Sequence, residues 1–447
     1  MPKTARELAL DIIYKVHKDK IYANHLLPEA LRTKDLSSQD KFFVTELVCG
    51  ALRMEGSIDW VLSNFSSKEM NKIPPKALDI LRLGTYQLLY LDRVPSRAAV
   101  DESVKIAKKN FHQGIANFVN GILREISRNK SEIKFPKKDN EPVAHISLKH
   151  SHPEWLVRRW INEFGVEETE KLCMANNIRP QVKLRTNLLK ITPRQLANML
   201  NKRGVTTSQS TLLNEALIVD EAANLTDTME FKNGLFFIQD ESSMMVSHIV
   251  NPQPGETVLD TCSSPGGKTT HLAEMMRNKG LIIAVDKQPM RLKLLEKSCA
   301  RMGVEIVAIA QADATKLNEI LSKPVDKVLV DAPCSGLGVL ARKPDARWRK
   351  TPEQIVKLAK LQQNLLSSAK QFVKIGGRLV YSVCTISKEE TLDIVDFFLD
   401  NSGEFELEDI GDRLSVQFGE KKKWVQLLPH KHKTDGMFIA SFVRVGG

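Results

Sequence analysis

At 447 residues the chain is too long for one ordinary core, so two or three domains are expected. With 42% hydrophobic and 27% charged residues it falls in the globular range, which excludes disordered and collagen-like classes. The net charge of +11 and pI near 9.2 favour a polyanionic partner, because Lys and Arg gain by releasing counterions from phosphates.

Residues 1–130 read as all-helical. Leu8, Ala9, Ile12, Ile13 and Val16 recur at helical spacing, as do Leu78, Leu81, Leu88, Leu89 and Leu91, which lines up one apolar face of each helix. Ser38 and Ser96 stand where helix N-caps are expected, Pro74-Pro75 opens a helix, and Gly56 is read as following one. This region has six more Lys and Arg than Asp and Glu, so over half of the net charge sits here. Residues 131–145 are polar and proline-bearing without periodicity, as a linker would be. Over 146–238, helical patterns at Glu154 to Phe164 and Pro193 to Lys202 mix with the short strands QVKLRTN and ALIVD. A small α+β domain, RRM-like in its composition of elements, is expected there.

From residue 239 to 447 strands alternate with helices. ETVLDTC, GLIIAVD, EIVAIAQAD, DKVLVDAPC and GGRLVYSVC are apolar runs that each end at a polar or reactive residue. That rhythm predicts a Rossmann-like, doubly wound α/β sheet, with GMFIASFVRV as a last, antiparallel strand.

Six cysteines at 49, 173, 262, 299, 334 and 384 contain no CxxC and no metal-ligand spacing, a pattern that fits a reducing compartment and no metal. The N-terminal segment shows no leader pattern, and no apolar run reaches bilayer length. A cytoplasmic monomer without membrane contact is expected.

Sheets of this kind bind ligands at the carboxyl ends of their strands, and four ends carry an acid: Asp260, Asp286, Asp313 and Asp331. The first strand runs into DTCSSPGGKTTHLAE, where Gly266 and Gly267 permit close backbone approach and a helix start offers free amides. A Walker loop would need Gly where Cys262 stands, and GxGxxG is absent, so NTPase and dehydrogenase readings fall away. Asp286, twenty residues past Gly266, suits ribose hydroxyls, and Asp313 suits an adenine amino group. For either residue alone, helix N-capping is the plainer reading. DAPCSGLGVLARKPDARW and YSVCTISKEE each put a cysteine just past a strand, Cys334 and Cys384. One such cysteine would be read as core; two at corresponding strand ends suggest thiol chemistry. Cys49, Cys173 and Cys299 lie in helical patterns and read as core.

Together DTCSSPGGKT, AVDKQ, QAD, DAPCSGLGVLARKPDARW and YSVCTISKEE resemble the Nol/Nop/Sun RNA cytosine methyltransferases. The resemblance implies S-adenosylmethionine as cofactor, surrounded by Cys262, Ser263, Ser264, Pro265, Gly266, Gly267 and Lys268, with Asp286, Asp313 and Asp331 lining the site. It implies Cys384 as nucleophile and Cys334 as the residue assisting product release, with Asp331 and Lys268 completing the catalytic set. Carbon 5 of cytosine becomes nucleophilic only after a thiolate adds to carbon 6, and thiolates both attack and leave well. An acid at ring nitrogen 3, assigned to Asp331, would stabilise the adduct. The helical region resembles the RNA-binding fold of the NusB antitermination factor, in RLGTYQLLYLDRVPSRAAVDESVKIAKK and ANFVNGILREI. A NusB-like domain joined to this catalytic domain is similar to bacterial small-subunit enzymes, which implies a cytosine in a hairpin of 16S ribosomal RNA, within the small-subunit precursor, as substrate. Ser263 and Ser264 replace the usual alanines, Val383 a Thr, and Thr391 an Asn; none removes a group the chemistry needs. A DNA-type enzyme would take its nucleophile from Pro333-Cys334 and leave Cys384 idle. A non-catalytic RNA-binding factor would have no reason to keep two cysteines and four acids.

Overall fold

Seven α-helices fill the described part of the first 130 residues: α1 (Ala5–Lys18), α2 (Ala23–Ala30), α3 (Ser38–Arg53), α4 (Glu55–Phe65), α5 (Pro75–Tyr90), α6 (Ser96–Asn110) and α7 (Gln113–Asn129). Their apolar stripes converge on one core that includes Leu10, Ile13, Leu47, Leu52, Leu81 and Leu123. The computed structural model describes residues 3–32, 36–220, 225–413 and 423–446. None of its helices is long and apolar enough to cross a membrane.

Three local expectations are corrected here. Ser37, not Ser38, caps α3 by accepting from the Asp40 amide, and Pro95 precedes α6, with Ser96 as its first residue. Gly56 lies inside α4, after a break at Met54. It is small because a Cβ there would come within 2.5 Å of the Trp348 ring, so packing and not chain termination explains it. The stretch read as linker turns helical at Pro142 in α8 (Pro142–Lys149). α9 (Glu154–Phe164) and α10 (Val166–Asn177) follow.

The chain forms two compact units. One contains the described residues up to Arg179 together with Leu340–Arg349, and the other contains 180–339 and 350–447. Within the first unit the inserted decapeptide is held by many polar contacts. Arg347 is fully buried and donates to the Ser151 and Asn176 carbonyls and to Asn177 Oδ1. Trp348 Nε1 donates to the Leu52 carbonyl at 2.9 Å. Arg349 donates to the carbonyls of Val16, Lys20 and Ile21 and lies over the Tyr22 ring.

The second unit begins with an antiparallel sheet of β1 (Val182–Thr186), β2 (Thr207–Gln209), β3 (Ala216–Val219) and β4 (Phe236–Ile238), in the order β2-β3-β1-β4. It carries α11 (Pro193–Lys202), closed by a capping box at Thr192, and the short α12 (Met229–Lys232). The larger sheet contains β5 (Thr257–Asp260), β6 (Leu281–Asp286), β7 (Val307–Gln311), β8 (Val325–Asp331), β9 (Val373–Val383), β10 (Phe405–Leu407), β11 (Trp424–Leu427) and β12 (Met437–Arg444). Its path is β10-β12-β9-β8-β5-β6-β7, with β11 paired to β12. The β5 to β9 pairings are parallel, and β12 runs antiparallel to β9. The helices α13 (Glu241–Val250), α14 (Gly267–Met275), α15 (Pro289–Met302), α16 (Pro352–Ala369) and α17 (Leu392–Asp400) cover it. Both faces are thereby buried, which is why the parallel strands read as near-continuous apolar runs. The strand order reverses between β5 and β8, so ligands are expected beyond Asp260 and Asp331.

Candidate active site

The loop from β5 into α14 is fixed from below. The Ser263 amide and hydroxyl each donate to the Val285 carbonyl at 3.0 Å, and Arg291 donates to the Ser264 carbonyl at 2.6 Å. Pro265, joined to Ser264 by a cis peptide, accepts on its carbonyl from Ser298 Oγ at 2.8 Å. Gly266 has φ +101°, and a Cβ on it would lie 2.8 Å from Leu295 Cδ1, so only glycine fits there. α14 then starts at Gly267, and its first turn leaves amides without helical partners. Asp260 Oδ1 and Ser264 Oγ are buried without a hydrogen-bond partner among the described residues.

Asp260 accepts from Thr269 Oγ1 at 2.7 Å. Burial, seconded by the nearby Asp331 carboxylate, pushes its pKa up to about 7. Burial first, then Asp260 and Asp331, likewise push the Cys262 thiol up to about 12, so Cys262 is a protonated, inert wall of the loop. Asp286, buried at the end of β6, accepts from the Gln288 amide at 3.0 Å. Asp313 lies two residues past β7. Its Oδ1 accepts from the Thr315 amide at 3.0 Å, and its Oδ2 from exposed Lys287 at 2.8 Å. The capping reading thus holds for Asp313, which can receive another donor on Oδ2 by exchanging Lys287.

At the end of β8, Asp331 accepts from Lys268 Nζ at 2.7 Å and from Ser382 Oγ at 2.8 Å. Burial disfavours the Lys268 ammonium, but the Asp331 carboxylate outweighs it and holds Lys268 above the ordinary lysine value, with Cys384 adding in the same direction. Lys268 is therefore a fixed cation electrostatically coupled to Cys384.

Cys334 and Cys384 follow β8 and β9, which are neighbours, and their sulfurs lie 3.3 Å apart. The hydrogen bond shared with Cys384, then burial, drive the Cys334 pKa well above the usual thiol value. Such a pair can support one thiolate with a protonated neighbour, which is a nucleophile and a donor in one place.

Two residues outside the sequence-derived set organise this site. Glu390 is fully buried and accepts from the Ser335 amide at 2.8 Å, Ser335 Oγ at 2.5 Å, Thr385 Oγ1 at 3.2 Å and Gln362 Nε2 at 3.1 Å. It thereby holds the residues that follow both cysteines. Arg185, on β1 and fully buried, donates to the Gly267 carbonyl at 2.5 Å, Thr270 Oγ1 at 2.8 Å and Glu274 Oε1 at 2.7 Å, which steadies the first turns of α14. Only the paired glutamates of SKEE hinted at Glu390; nothing local marked Arg185. The sequence-derived residues Cys334, Cys384, Asp331 and Lys268 are brought together, the 262–267 loop and Asp286 border them, and Asp313 stands at the rim.

The family described as 16S rRNA methyltransferase RsmB/F matches residues 247–443, the NusB family matches 3–128, and the RsmF/B-like ferredoxin-like domain matches 152–226. The probable ribosomal RNA small subunit methyltransferase B of Bacillus subtilis is 38% identical over the whole of both chains. The chain belongs to the ribosomal RNA small subunit methyltransferase B family. A second relative within the RsmB/F group, the probable small subunit methyltransferase B of Synechocystis, is 37% identical over 98% of this chain and 99% of its own. Among solved structures, PH0851 superposes with a TM-score of 0.83 at 30% identity, covering 99% of each chain. NSun6 from Pyrococcus horikoshii, solved with SFG, gives 0.59 at 27% identity over 66% of this chain and 99% of its own. As an RsmB/F-family enzyme the chain thus combines an all-α NusB domain, a ferredoxin-like α+β domain and a mixed α/β methyltransferase sheet, which agrees with the fold class read from the sequence.

Proposed function

We propose that this enzyme transfers a methyl group from S-adenosylmethionine to carbon 5 of a cytosine in 16S ribosomal RNA, with Cys384 as nucleophile and Cys334 assisting release. The observation that carries this reading is the pair of sulfurs 3.3 Å apart beside the Lys268–Asp331 ion pair. The residues fit the cofactor: a glycine turn, the first-turn amides of α14, the buried Ser264 Oγ without a partner among the described residues, and carboxylates at successive strand ends lie at the carboxyl end of the sheet, where such a ligand binds. Cys262 to Lys268 would surround it, Asp286 would accept from the ribose hydroxyls, and Asp313 from the adenine amino group in exchange for Lys287. When bound, it supplies an electrophilic methyl on a positively charged sulfur.

The chain's own residues do the rest. The Cys384 thiolate forms a bond to carbon 6, with Lys268 supplying the local positive charge. Asp331, held by Lys268 and Ser382, would take up the proton that Cys384 gives up on becoming a thiolate, and in that acid form it donates to ring nitrogen 3 and stabilises the electron-rich ring. After carbon 5 is methylated its proton passes to a water molecule in the crevice, the electron pair of that carbon–hydrogen bond re-forms the carbon 5–carbon 6 double bond, the carbon 6–sulfur bond breaks, and the thiolate of Cys384 returns. Cys334, still protonated, donates to that departing sulfur. The positive charge of the NusB domain and the homologues' names support 16S ribosomal RNA as the docked substrate. Cytoplasmic location and a monomeric enzyme remain part of the same reading.

Cys384→Ser should abolish methylation of a 16S RNA fragment and form no adduct, because a serine hydroxyl is scarcely ionised at neutral pH. Cys334→Ser should accumulate a protein–RNA complex that survives denaturing electrophoresis. Appearance of that complex in Cys384→Ser instead would assign Cys334 as nucleophile, as in the DNA-type alternative. Failure of the wild-type chain to bind labelled S-adenosylmethionine would favour a non-catalytic RNA-binding factor.

A further inference from the structure

Away from the thiol pair, three side chains from separate elements converge. Glu215 stands just before β3, His248 on α13 and His271 on α14. Their ligand atoms all lie within 4.8 Å of one another. Glu215 Oε1 is 2.6 Å from His248 Nε2 and 3.5 Å from His271 Nε2, and the two imidazoles meet edge-on at 5.4 Å. Glu215 and His271 are buried, whereas the His248 side chain is 31% exposed. His271 Nδ1 is buried without a hydrogen-bond partner among the described residues. It is the opposite ring nitrogen, Nε2, that faces Glu215.

We infer that Glu215, His248 and His271 form a binding site for a divalent transition-metal ion, zinc by its chemistry. Two imidazoles and a carboxylate are a borderline-soft nitrogen and oxygen set that suits zinc in four-coordinate geometry. Bond lengths near 2.0–2.2 Å place tetrahedral ligand atoms about 3.3 Å apart. The Glu215–His271 separation of 3.5 Å already meets this. The Glu215–His248 pair, at 2.6 Å, must open by roughly 0.7 Å to reach it, and His248, the least buried of the three, is the side chain with room to move. A water molecule would supply the fourth ligand, and the 31% exposure of the His248 side chain gives it access. Charge also balances: the neighbouring Arg185 is neutralised by Glu274 at 2.7 Å, which leaves the Glu215 carboxylate for the cation. The ion would clip the small sheet, through Glu215, to α13 and to α14, the helix that opens on the Gly266–Gly267 turn. The sequence reading expected no metal on the spacing of the cysteines; positions 215, 248 and 271 lie far apart in the chain and form no local ligand motif.

Chelator-stripped full-length protein titrated with Co²⁺ tests this. Expected are one equivalent bound, the visible absorption of four-coordinate cobalt, no thiolate-to-cobalt charge-transfer band such as Cys334 and Cys384 would give, and displacement by Zn²⁺ with a rise in melting temperature. His271→Ala risks misfolding, so His248→Ala and Glu215→Gln, checked by circular dichroism, are the informative variants. Each should weaken Co²⁺ binding by more than the roughly 10–100-fold that loss of an outer-shell partner costs. No uptake by the wild-type protein, a spectrum dominated by the thiolate band, or unchanged affinity in both variants overturns the assignment.

Discussion

Glu390 accepts hydrogen bonds from both the amide and the hydroxyl of Ser335, the residue directly after Cys334, at 2.8 and 2.5 Å. Because it also receives Thr385 Oγ1, directly after Cys384, one carboxylate sets the spacing of two sulfurs that come from different strands. Glu390→Gln keeps the size but replaces one acceptor oxygen with a donor that faces other donors. It should cost about 1–3 kcal/mol of stability and slow methyl transfer while leaving cofactor affinity unchanged. Chemical denaturation, calorimetry and single-turnover rates would check the three parts; an unchanged rate in a folded variant would remove Glu390 from any positioning role.

The cofactor assignment is most directly probed at the end of β6. Asp286→Ala should weaken S-adenosylmethionine binding by about 1.5–3 kcal/mol, the range for hydrogen bonds to a charged group. Titration calorimetry gives the number, and wild-type affinity in a folded variant would place the ribose elsewhere.

Asp260 makes a prediction about pH. Its folded-state pKa lies near 7, above the unfolded carboxylate value of about 3.9. The folded state therefore holds its proton longer than the unfolded state does, and the associated stability is present at low pH and lost as pH rises toward 7. Asp260→Asn removes this dependence and can still accept from Thr269 Oγ1. Its stability relative to wild type should improve by roughly 2–3 kcal/mol between pH 5 and pH 8. Denaturant midpoints at the two pH values test it, and a constant difference would contradict the raised pKa.

Thiol reactivity gives a second pH test. The Cys334 pKa is held well above the ordinary thiol value by the hydrogen bond shared with Cys384 and by burial, so at neutral pH Cys334 stays protonated. Alkylation with iodoacetamide at pH 7.5, mapped by mass spectrometry, should modify Cys384 ahead of Cys334. Early labelling of Cys334 would reverse the order of reactivity on which the division of labour depends.

The decapeptide Leu340–Arg349 predicts a stability effect within the first unit. Trp348→Ala removes a ring packed on Gly56 and a hydrogen bond to the Leu52 carbonyl, and should cost about 3 kcal/mol. Truncation to a start near residue 145 removes Val16, Lys20, Ile21, Tyr22 and Leu52, the partners of Trp348 and Arg349. Such a fragment should melt earlier than the full chain as well as bind RNA less tightly. Surface charge substitutions in α1–α7 are thus the cleaner test of RNA docking, read as a shallower salt dependence.

Much of this was legible because the signals were local and repeated. The parallel strands are buried on both faces and read as apolar runs, and each acid or cysteine at a strand end could be located from the run alone. β10 and β11, of three and four residues, carry too little pattern to read. Ser37 against Ser38 is a one-residue ambiguity between two equally good caps. Gly56 was misread because its reason, Trp348, lies almost three hundred residues away in sequence. Glu390 and Arg185 escaped notice for the same cause: their partners at 335, 362 and 385, and at 267, 270 and 274, become neighbours only in the fold.

The placement of Leu340–Arg349 within the helical unit also bears on how the protein is made. A growing chain acquires the residues up to Arg179 early, but the last segment of that unit emerges only about 170 residues later. At bacterial elongation speeds that is a wait of roughly ten to thirty seconds. During this interval the Leu52, Ser151 and Asn176 carbonyls lack their final donors, and Gly56 lacks the ring it was shaped to receive. The N-terminal helices therefore cannot reach their finished state before the segment that follows Cys334 has been synthesised, so the helical unit is completed only after β5 to β8 have been made and before the strand that leads to Cys384.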